Sequence, residues 1–215
     1  MSSILGELDA LDAAVDALRS ADLDGLNPTE RFCVLERMET ALRRQVATSH
    51  AIIHRLEQFE GCPPVHVALS DVLRISRTEA RRRIRDAAQL APRSTLTGQP
   101  LPPELPATAA AWQRGILDAE HLRTIQKFIR ELPHHMAPNV VADSEKLLAE
   151  QAALLRPDQL DKVAERLAVQ VNPDGVFSDA DRARKRGFTW CGGQHPDGMS
   201  TGNAALWEYI TSNPN

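Results

Sequence analysis

Apolar residues recur at helical spacing along almost the whole chain, and this periodicity restricts the fold to one built mainly of α-helices. Ile4, Leu8, Leu11, Val15 and Leu18 follow one another at intervals of three and four residues. This spacing places them on one side of an amphipathic helix, which needs a surface to pack against. We therefore predict a mainly α-helical, multi-helix bundle.

A second, longer helix is predicted to begin at Pro28. Asn27 supplies a cap, Pro28 suits the first helical position, and Glu30 stands three residues after the cap. About 30 residues of helix, up to Phe59, would span roughly 45 Å, which is typical of a spine or a dimerisation element. We expect a homo-oligomer through this helix, whose apolar stripe comprises Phe32, Leu35, Leu42, Val46, Ile53 and Leu56.

Shorter helices are predicted after residue 64, beginning with a pair between Val65 and Leu90, while residues 92–106 predict a linker or ordered loop. The pattern then predicts helices near 104–114, 118–132, 138–155, 157–171 and 178–186, followed by a small β-hairpin formed by Phe188–Cys191 and Gly198–Thr201. We divide the chain into an N-terminal helical region, residues 1–93, and a bundle ending in the hairpin, residues 94–215. The alternative is one continuous domain.

Charge is distributed unevenly, although the formal net charge is only -4. Residues 62–93 carry seven basic and three acidic groups, whereas residues 1–61 carry six basic and eleven acidic groups. A short basic segment inside an acidic protein indicates an anionic partner.

The basic segment has the pattern of a helix-turn-helix. A short helix with apolar Leu69 and Leu73 leads into a turn at Arg74, and Ser76 with Glu79 predicts a capping box that begins a second helix. The candidate contacts to phosphates and guanine edges of double-stranded DNA are Arg74, Arg77, Arg81, Arg82 and Arg85.

Two positions depart from the usual helix-turn-helix pattern. Arg74 stands where glycine is usual in the turn, and Arg83 stands where an apolar residue normally packs against the first helix. The alternative interpretation is an arginine-rich face that is solvated or paired with the acidic N-terminal helices. A second basic run at residues 182–186 favours the end of a helix, where positive charge suits the helix dipole.

Metal binding is not predicted. Cys62 and His66 share their Cys-x3-His spacing with Cys191 and His195, but neither pair has the usual Cys-x2-Cys partner. We expect His50 and His54 to lie along the surface of the long helix, and the His134–His135 pair to be exposed in a loop. Trp112, Trp190 and Trp207 are predicted to be core residues.

Enzyme signatures are missing from the sequence. It has no Gly-rich phosphate loop, no Gly-x-Ser-x-Gly elbow and no His-Glu-x-x-His helix. We expect no cofactor, no small-molecule substrate and no catalysis by this chain alone. No segment approaches the roughly 20 apolar residues of a membrane helix, and no signal peptide is recognisable, so we expect a cytoplasmic protein with no membrane contact.

Several motifs in a fixed order resemble the actinobacterial thirteen-E-twelve repeat family, which carries the domain of unknown function 222. The resemblance covers about residues 28–205 and depends on the segments 69–85, 101–111, 115–121, 155–160, 172–175 and 197–199. In such proteins the helical region commonly precedes an HNH endonuclease module. Because no histidine follows Met199, we expect that module to be absent, through truncation or natural loss.

The sequence thus predicts a DNA-binding or targeting module of an HNH-endonuclease-like protein without the nuclease itself. The rival interpretation is a helical scaffold or oligomerisation module that does not contact nucleic acid. A scaffold of this kind would form a dimer that is weakened when Leu42 or Ile53 becomes Asp.

Overall fold

A computed structural model describes residues 2–56, 61–95 and 97–173, together with the backbone of two strands at 187–190 and 202–205. These residues form eight helices and two small antiparallel sheets, which confirms the predicted mainly α-helical bundle. The elements are α1 Ser2–Arg19, α2 Pro28–His54, α3 Val65–Leu73, α4 Arg77–Leu90, β1 Arg93–Ser94, β2 Pro100–Leu101, α5 Pro106–Gln113, α6 Ala119–Glu131, α7 Pro138–Ala152, α8 Pro157–Val171, β3 Gly187–Trp190 and β4 Gly202–Ala205.

The long helix α2 begins as predicted and ends earlier. The Asn27 side chain accepts a hydrogen bond from the Glu30 backbone N–H at 3.0 Å, and the Glu30 carboxylate accepts one from the Asn27 N–H at 2.9 Å. The predicted end at Phe59 is wrong, because the backbone N–H of Arg55 bonds back to Ile52 and Ile53 and closes the last turn after His54. Residues 57–60 lie outside the described residues.

The predicted linker between α4 and α5 contains a small hairpin that the sequence did not reveal. Arg93 of β1 pairs with Leu101 of β2, and Ser94 pairs with Pro100. Strands of two residues are too short to show an alternating pattern, and the prolines and Gly98 of this segment are typical of a loop.

Buried apolar side chains form two clusters. The larger one lies among α5 to α8 and also takes in Ala47 of α2 and Leu90 of α4. The smaller one joins α2, α3 and α4 and comprises Ile53, Leu69, Ala80 and Ala87. Helix α2 therefore contributes to both clusters and holds the basic segment against the C-terminal bundle.

The β-hairpin near the C-terminus is present with a later second strand than predicted. Gly187–Trp190 pairs with Gly202–Ala205 in antiparallel register, so that Phe188 lies opposite Ala204. The predicted helix at residues 178–186 lies outside the described residues. None of the helices in the described part of the chain has the length and apolar character that crossing a lipid bilayer requires.

Candidate nucleic-acid interface

Helices α3 and α4 pack against each other across the predicted turn at Arg74, with the second half of α2 as a third supporting helix. Leu69 on α3 is buried against Ala80 and Ala87 on α4, and Ile53 supplies the contact from α2. Alanines at the contact positions allow α4 to approach its neighbours closely. The outer edge of α4 is consequently held out toward solvent on a rigid base.

The turn between α3 and α4 requires an unusual backbone conformation. Arg74 has φ 54° and ψ 43°, in the left-handed region, and among the described residues it is the only non-glycine residue with a positive φ. Its N–H, like that of Ile75, bonds to the Ser70 carbonyl and closes the helix end. Glycine adopts this conformation freely, whereas an L-residue loses about 1–2 kcal/mol there. This explains why glycine is usual at the position of Arg74.

The predicted capping box at the start of α4 is only half formed. The Ser76 hydroxyl accepts a hydrogen bond from the Glu79 N–H at 3.0 Å, as predicted. The Glu79 carboxylate instead accepts hydrogen bonds from the guanidinium groups of Arg82 and Arg83, at 2.7 to 2.8 Å. The two arginines attract Glu79 more strongly than a neutral backbone N–H does, because charge-assisted hydrogen bonds are the stronger kind.

Arg82 lies in an internal network, in contrast to the other arginines proposed to contact DNA. Besides its two bonds to Glu79, it donates one to the Asp86 carboxylate at 3.2 Å, and its side chain is 30% exposed. Asp86 is 1% exposed and also accepts a hydrogen bond from Gln126 of α6 at 2.9 Å. The network therefore fixes α4 to the C-terminal bundle. Sequence reasoning missed it, because no local pattern connects residues 86 and 126.

Arg83 is half-buried beside Glu79, with 32% of its side chain exposed. The apolar contacts of α4 come instead from Ala80 and Ala87, with Ile84 partly buried beside them. The departure from the usual pattern at Arg83 is therefore accommodated by an ion pair on the flank of the helix.

Four of the five predicted contact residues are exposed: Arg74, Arg77, Arg81 and Arg85. The last three recur every four residues, which places them along one edge of α4. Arg81 contacts the His66 ring at 3.1 Å between its terminal nitrogen and Nε2. Within residues 2–56, 61–95 and 97–173, no carboxylate pairs with any of these four, and no ion pair joins α4 to the acidic N-terminal helices.

The charged groups of the network alter one another's protonation. The hydrogen bond from Arg82, together with that from Arg83, lowers the pKa of Glu79 to about 2, and the bond to Glu79 raises the pKa of Arg82 above its usual value. Glu79 is consequently ionised under all ordinary conditions. Its charge is balanced by Arg82 and Arg83, so it does not neutralise the exposed arginines of α4, for which the described residues supply no carboxylate.

The expectation that His50 lies on the surface of α2 is wrong. His50 is 5% exposed and stacks on Trp112 of α5, with 5.4 Å between ring centroids and 18° between ring planes. Burial lowers the pKa of His50. Trp112 is a core residue, as predicted, and the two rings join α2 to α5 of the bundle.

The remaining predicted histidine, cysteine, tryptophan and basic features lie partly inside and partly outside the described residues. His54 and the His134–His135 pair are exposed, as predicted. Cys62 is an exposed free thiol, and no cluster of potential metal ligands occurs among the described residues. The side chains of Cys191, His195, Trp190, Trp207 and the basic run 182–186 lie outside the described residues.

Comparison with known proteins gives one family and a set of mycobacterial relatives. The chain matches the family described as Domain of unknown function (DUF222) over residues 32–208. An uncharacterized protein of Mycobacterium tuberculosis is 44% identical over 207 residues, covering 94% of this chain and 44% of the relative. A second from that species is 40% identical, covering 89% and 46%, and one from Mycobacterium bovis is 41% identical, covering 92% and 44%.

The chain therefore spans less than half the length of these relatives. No solved structure matches it.

Proposed function

Because this chain belongs to the DUF222 family, whose description assigns no function, we propose one from the geometry of α4: it binds double-stranded DNA through the exposed arginine edge of that helix. The proposed contacts are Arg77, Arg81 and Arg85 along the edge, with Arg74 in the preceding turn. Arg82, the fifth candidate, acts as a positioning residue that holds α4 in place.

The single observation that carries the proposal is that the arginines of α4 fall into two groups, one with carboxylate partners and one without them among the described residues. Arg82 and Arg83 are bound by Glu79 and Asp86, while the arginines on the outer edge have no carboxylate partner among the described residues. A helix that only needed a solvated surface would gain nothing from uncompensated like charges at i and i+4, since they repel each other. A polyanion removes that repulsion.

The arrangement suits a duplex because the second helix of a helix-turn-helix enters the major groove with its N-terminal residues toward the bases. In such an arrangement Arg77 and Arg81 stand where base edges or nearby phosphates lie, and Arg74 and Arg85 stand nearer to the phosphates. The acidic N-terminal region would be repelled by DNA, which favours the arginine edge of α4 over α1 and α2 as the contact surface.

We further propose that the chain is the targeting part of a longer protein, as the resemblance to nuclease-associated proteins suggested. Binding to chromosomal DNA would place its action in the cytoplasm. The rival interpretation is a helical scaffold that does not touch nucleic acid. It predicts that the chain does not bind DNA through the arginine edge.

Fluorescence anisotropy of a labelled duplex tests the proposal at low salt. The triple variant Arg77→Ala, Arg81→Ala, Arg85→Ala should bind at least 100-fold more weakly than the wild type, because each charged contact contributes on the order of 1–3 kcal/mol. The matched control is Arg114→Ala, Arg130→Ala, Arg166→Ala, which removes the same charge from exposed arginines of the C-terminal bundle.

Equal loss in the two triple variants would mean that binding depends on charge in general and not on α4. Absence of binding by the wild type at low salt would contradict the proposal and favour the scaffold.

A further inference from the structure

The first two helices expose an unusual amount of apolar surface. Nineteen large apolar side chains are exposed among the described residues, and thirteen of them lie within residues 4–56. They include Ile4 at 70%, Phe32 at 73% and Leu35 at 60% exposure. Contiguous apolar surface of this extent on a protein marks an interaction site.

The described residues supply only part of the packing surface that α1 was expected to need. Ile4, Leu8 and Leu11 form one wall of a groove, whose other walls include Ile52 of α2 and Val72 of α3. The groove is predominantly apolar and encloses about 1250 Å³. Because the start of α1 and the second half of α2 line the same groove, the two helices run antiparallel with the groove between them.

We propose that a second copy of this chain covers this surface, so that the α1–α2 pairs of two copies pack together as a four-helix dimer. The exposed positions of α2 repeat at intervals of three and four residues through Leu35, Met38 and Leu42, the spacing that favours packing between long helices. Helix α2 is about 40 Å long, so its exposed stripe extends across a sizeable interface.

The charges of the two helices favour a second copy over an unrelated partner. Helix α1 carries the carboxylates Glu7, Asp9, Asp12 and Asp16 and a single cation, Arg19. Helix α2 presents Arg31, Arg37 and Arg44 as exposed cations alongside the exposed carboxylates Glu30, Glu36 and Glu39, so its formal charge is only +1, and both Arg44 and Glu7 of α1 line the groove. In a two-fold contact the acidic α1 of each copy packs beside the weakly basic α2 of the other, so the same surface is complementary to itself.

The extent of the surface agrees with what a stable dimer requires. A standard interface uses about 20–30 residues from each partner. The thirteen exposed apolar side chains of residues 4–56 would form the apolar core of such an interface, and the charged residues of α1 and α2 would form its rim.

Ile53 does not belong to the proposed contact. The sequence placed Ile53 in the apolar stripe of α2, but it is 6% exposed and packs inside the smaller buried cluster. An Ile53→Asp variant would disrupt that cluster and reveal nothing about assembly. Leu35 and Leu42 are 60% and 54% exposed, so substitutions there should weaken assembly without disturbing the folded core.

Light scattering coupled to size-exclusion chromatography tests the proposal on this chain from about 5 to 100 µM. We expect a dimer for the wild type and a monomer for Leu35→Asp, Leu42→Asp. The matched control is Leu154→Asp, which changes a leucine of 80% exposure after α7 and should leave the dimer intact. Far-UV circular dichroism checks folding, and the milder Leu35→Gln, Leu42→Gln replaces the aspartate variant if that one unfolds.

A wild-type monomer at 100 µM would overturn the proposal and assign the surface to a different protein or another segment. So would a dimer that persists in both folded Leu35/Leu42 variants, because the contact would then lie elsewhere. DNA-binding results do not bear on this outcome.

Discussion

The guanidinium of Arg82 donates two hydrogen bonds, of 2.8 and 2.7 Å, to the carboxylate of Glu79 one turn earlier on α4. The pair faces the inner flank of the helix, where Asp86 and Gln126 continue the network toward α6. Because the inner arginine is satisfied within the chain, the outer edge of α4 is held toward solvent, and its arginines have no carboxylate partner in the part of the chain that the structure describes. The relationship between these two residues thus underlies the proposed DNA contact.

The Glu79 carboxylate should make stability depend on acid pH. Its pKa is about 2 in the folded protein and 4.5 in the unfolded chain, so its contribution is complete above pH 4.5 and is lost as the pH falls toward 2. Glu79→Gln should lower the free energy of unfolding by about 1 kcal/mol at pH 7, since its ion pairs are partly exposed. Urea unfolding at pH 7, 4 and 2.5 measures the difference, which should shrink as the pH falls.

Glu165→Gln, at an exposed position of α8, serves as the control for Glu79→Gln and should leave stability unchanged at every pH. A constant difference between wild type and Glu79→Gln down to pH 2.5 would show that the low pKa is not the cause.

Replacing Arg74 should separate folding from binding. Arg74→Gly relieves the left-handed backbone at φ 54° and should raise the free energy of unfolding by about 1 kcal/mol, while DNA affinity falls through loss of a charge. Arg74→Ala removes the same charge but keeps the strained conformation, so affinity should fall with no gain in stability. Thermal unfolding and duplex binding of the two variants measure both effects. A gain in stability with alanine would refute the backbone explanation.

Gly115 lies in close contact with the backbone of α2. A Cβ at this position would lie 2.6 Å from the Thr40 carbonyl oxygen and 2.7 Å from Cγ of Arg44, and φ is +76°. Gly115→Ala should therefore destabilise the protein by about 2–4 kcal/mol. Gly98→Ala has a similar φ of +82° but open space around it, and should cost only about 1 kcal/mol. Similar values for the two variants in urea unfolding would mean that α2 and the bundle are not in close contact.

The buried His50 ring should make stability fall below neutral pH. Burial lowers its pKa below 6.5, so the unfolded chain takes up the proton first, and stability decreases as the pH falls through 6.5. His50→Phe keeps an aromatic ring against Trp112 and removes Nδ1, which has no hydrogen-bond partner among the described residues. Unfolding measured between pH 7.5 and 5.5 should show a smaller slope for the variant. Identical slopes would place the titrating group elsewhere.

The starts of α2 and α4 were predictable because they depend on local signals. Asn27, Pro28 and Glu30 fixed the start of α2, and Ser76 fixed the start of α4, since a cap depends on residues three positions apart. The turn between α3 and α4 was also predictable, although Arg74 stands where glycine is usual. These features need no knowledge of the tertiary structure.

The side-chain network was not predictable from local patterns. Arg82 and Arg85 stand three residues apart and look equivalent in the sequence, yet only Arg82 reaches Asp86, whose burial depends on α6. His50 became buried for the same reason, because Trp112 is 62 positions away along the chain. Exposure of α1 also depends on what the other helices leave open, and helical spacing reveals only that an apolar side exists.

Salt dependence of duplex binding tests the central claim most directly. Anisotropy titrations between 50 and 300 mM salt should give a log affinity that falls linearly with log salt for the wild type, because arginine contacts to phosphates release counterions. The slope should decrease by about 1 for each of Arg77, Arg81 and Arg85 that contacts a phosphate, so that the triple alanine variant keeps a much shallower slope, to which Arg74 still contributes. A wild-type affinity independent of salt, or an unchanged slope in that variant, would contradict the assignment of the arginine edge of α4 as the DNA-binding surface.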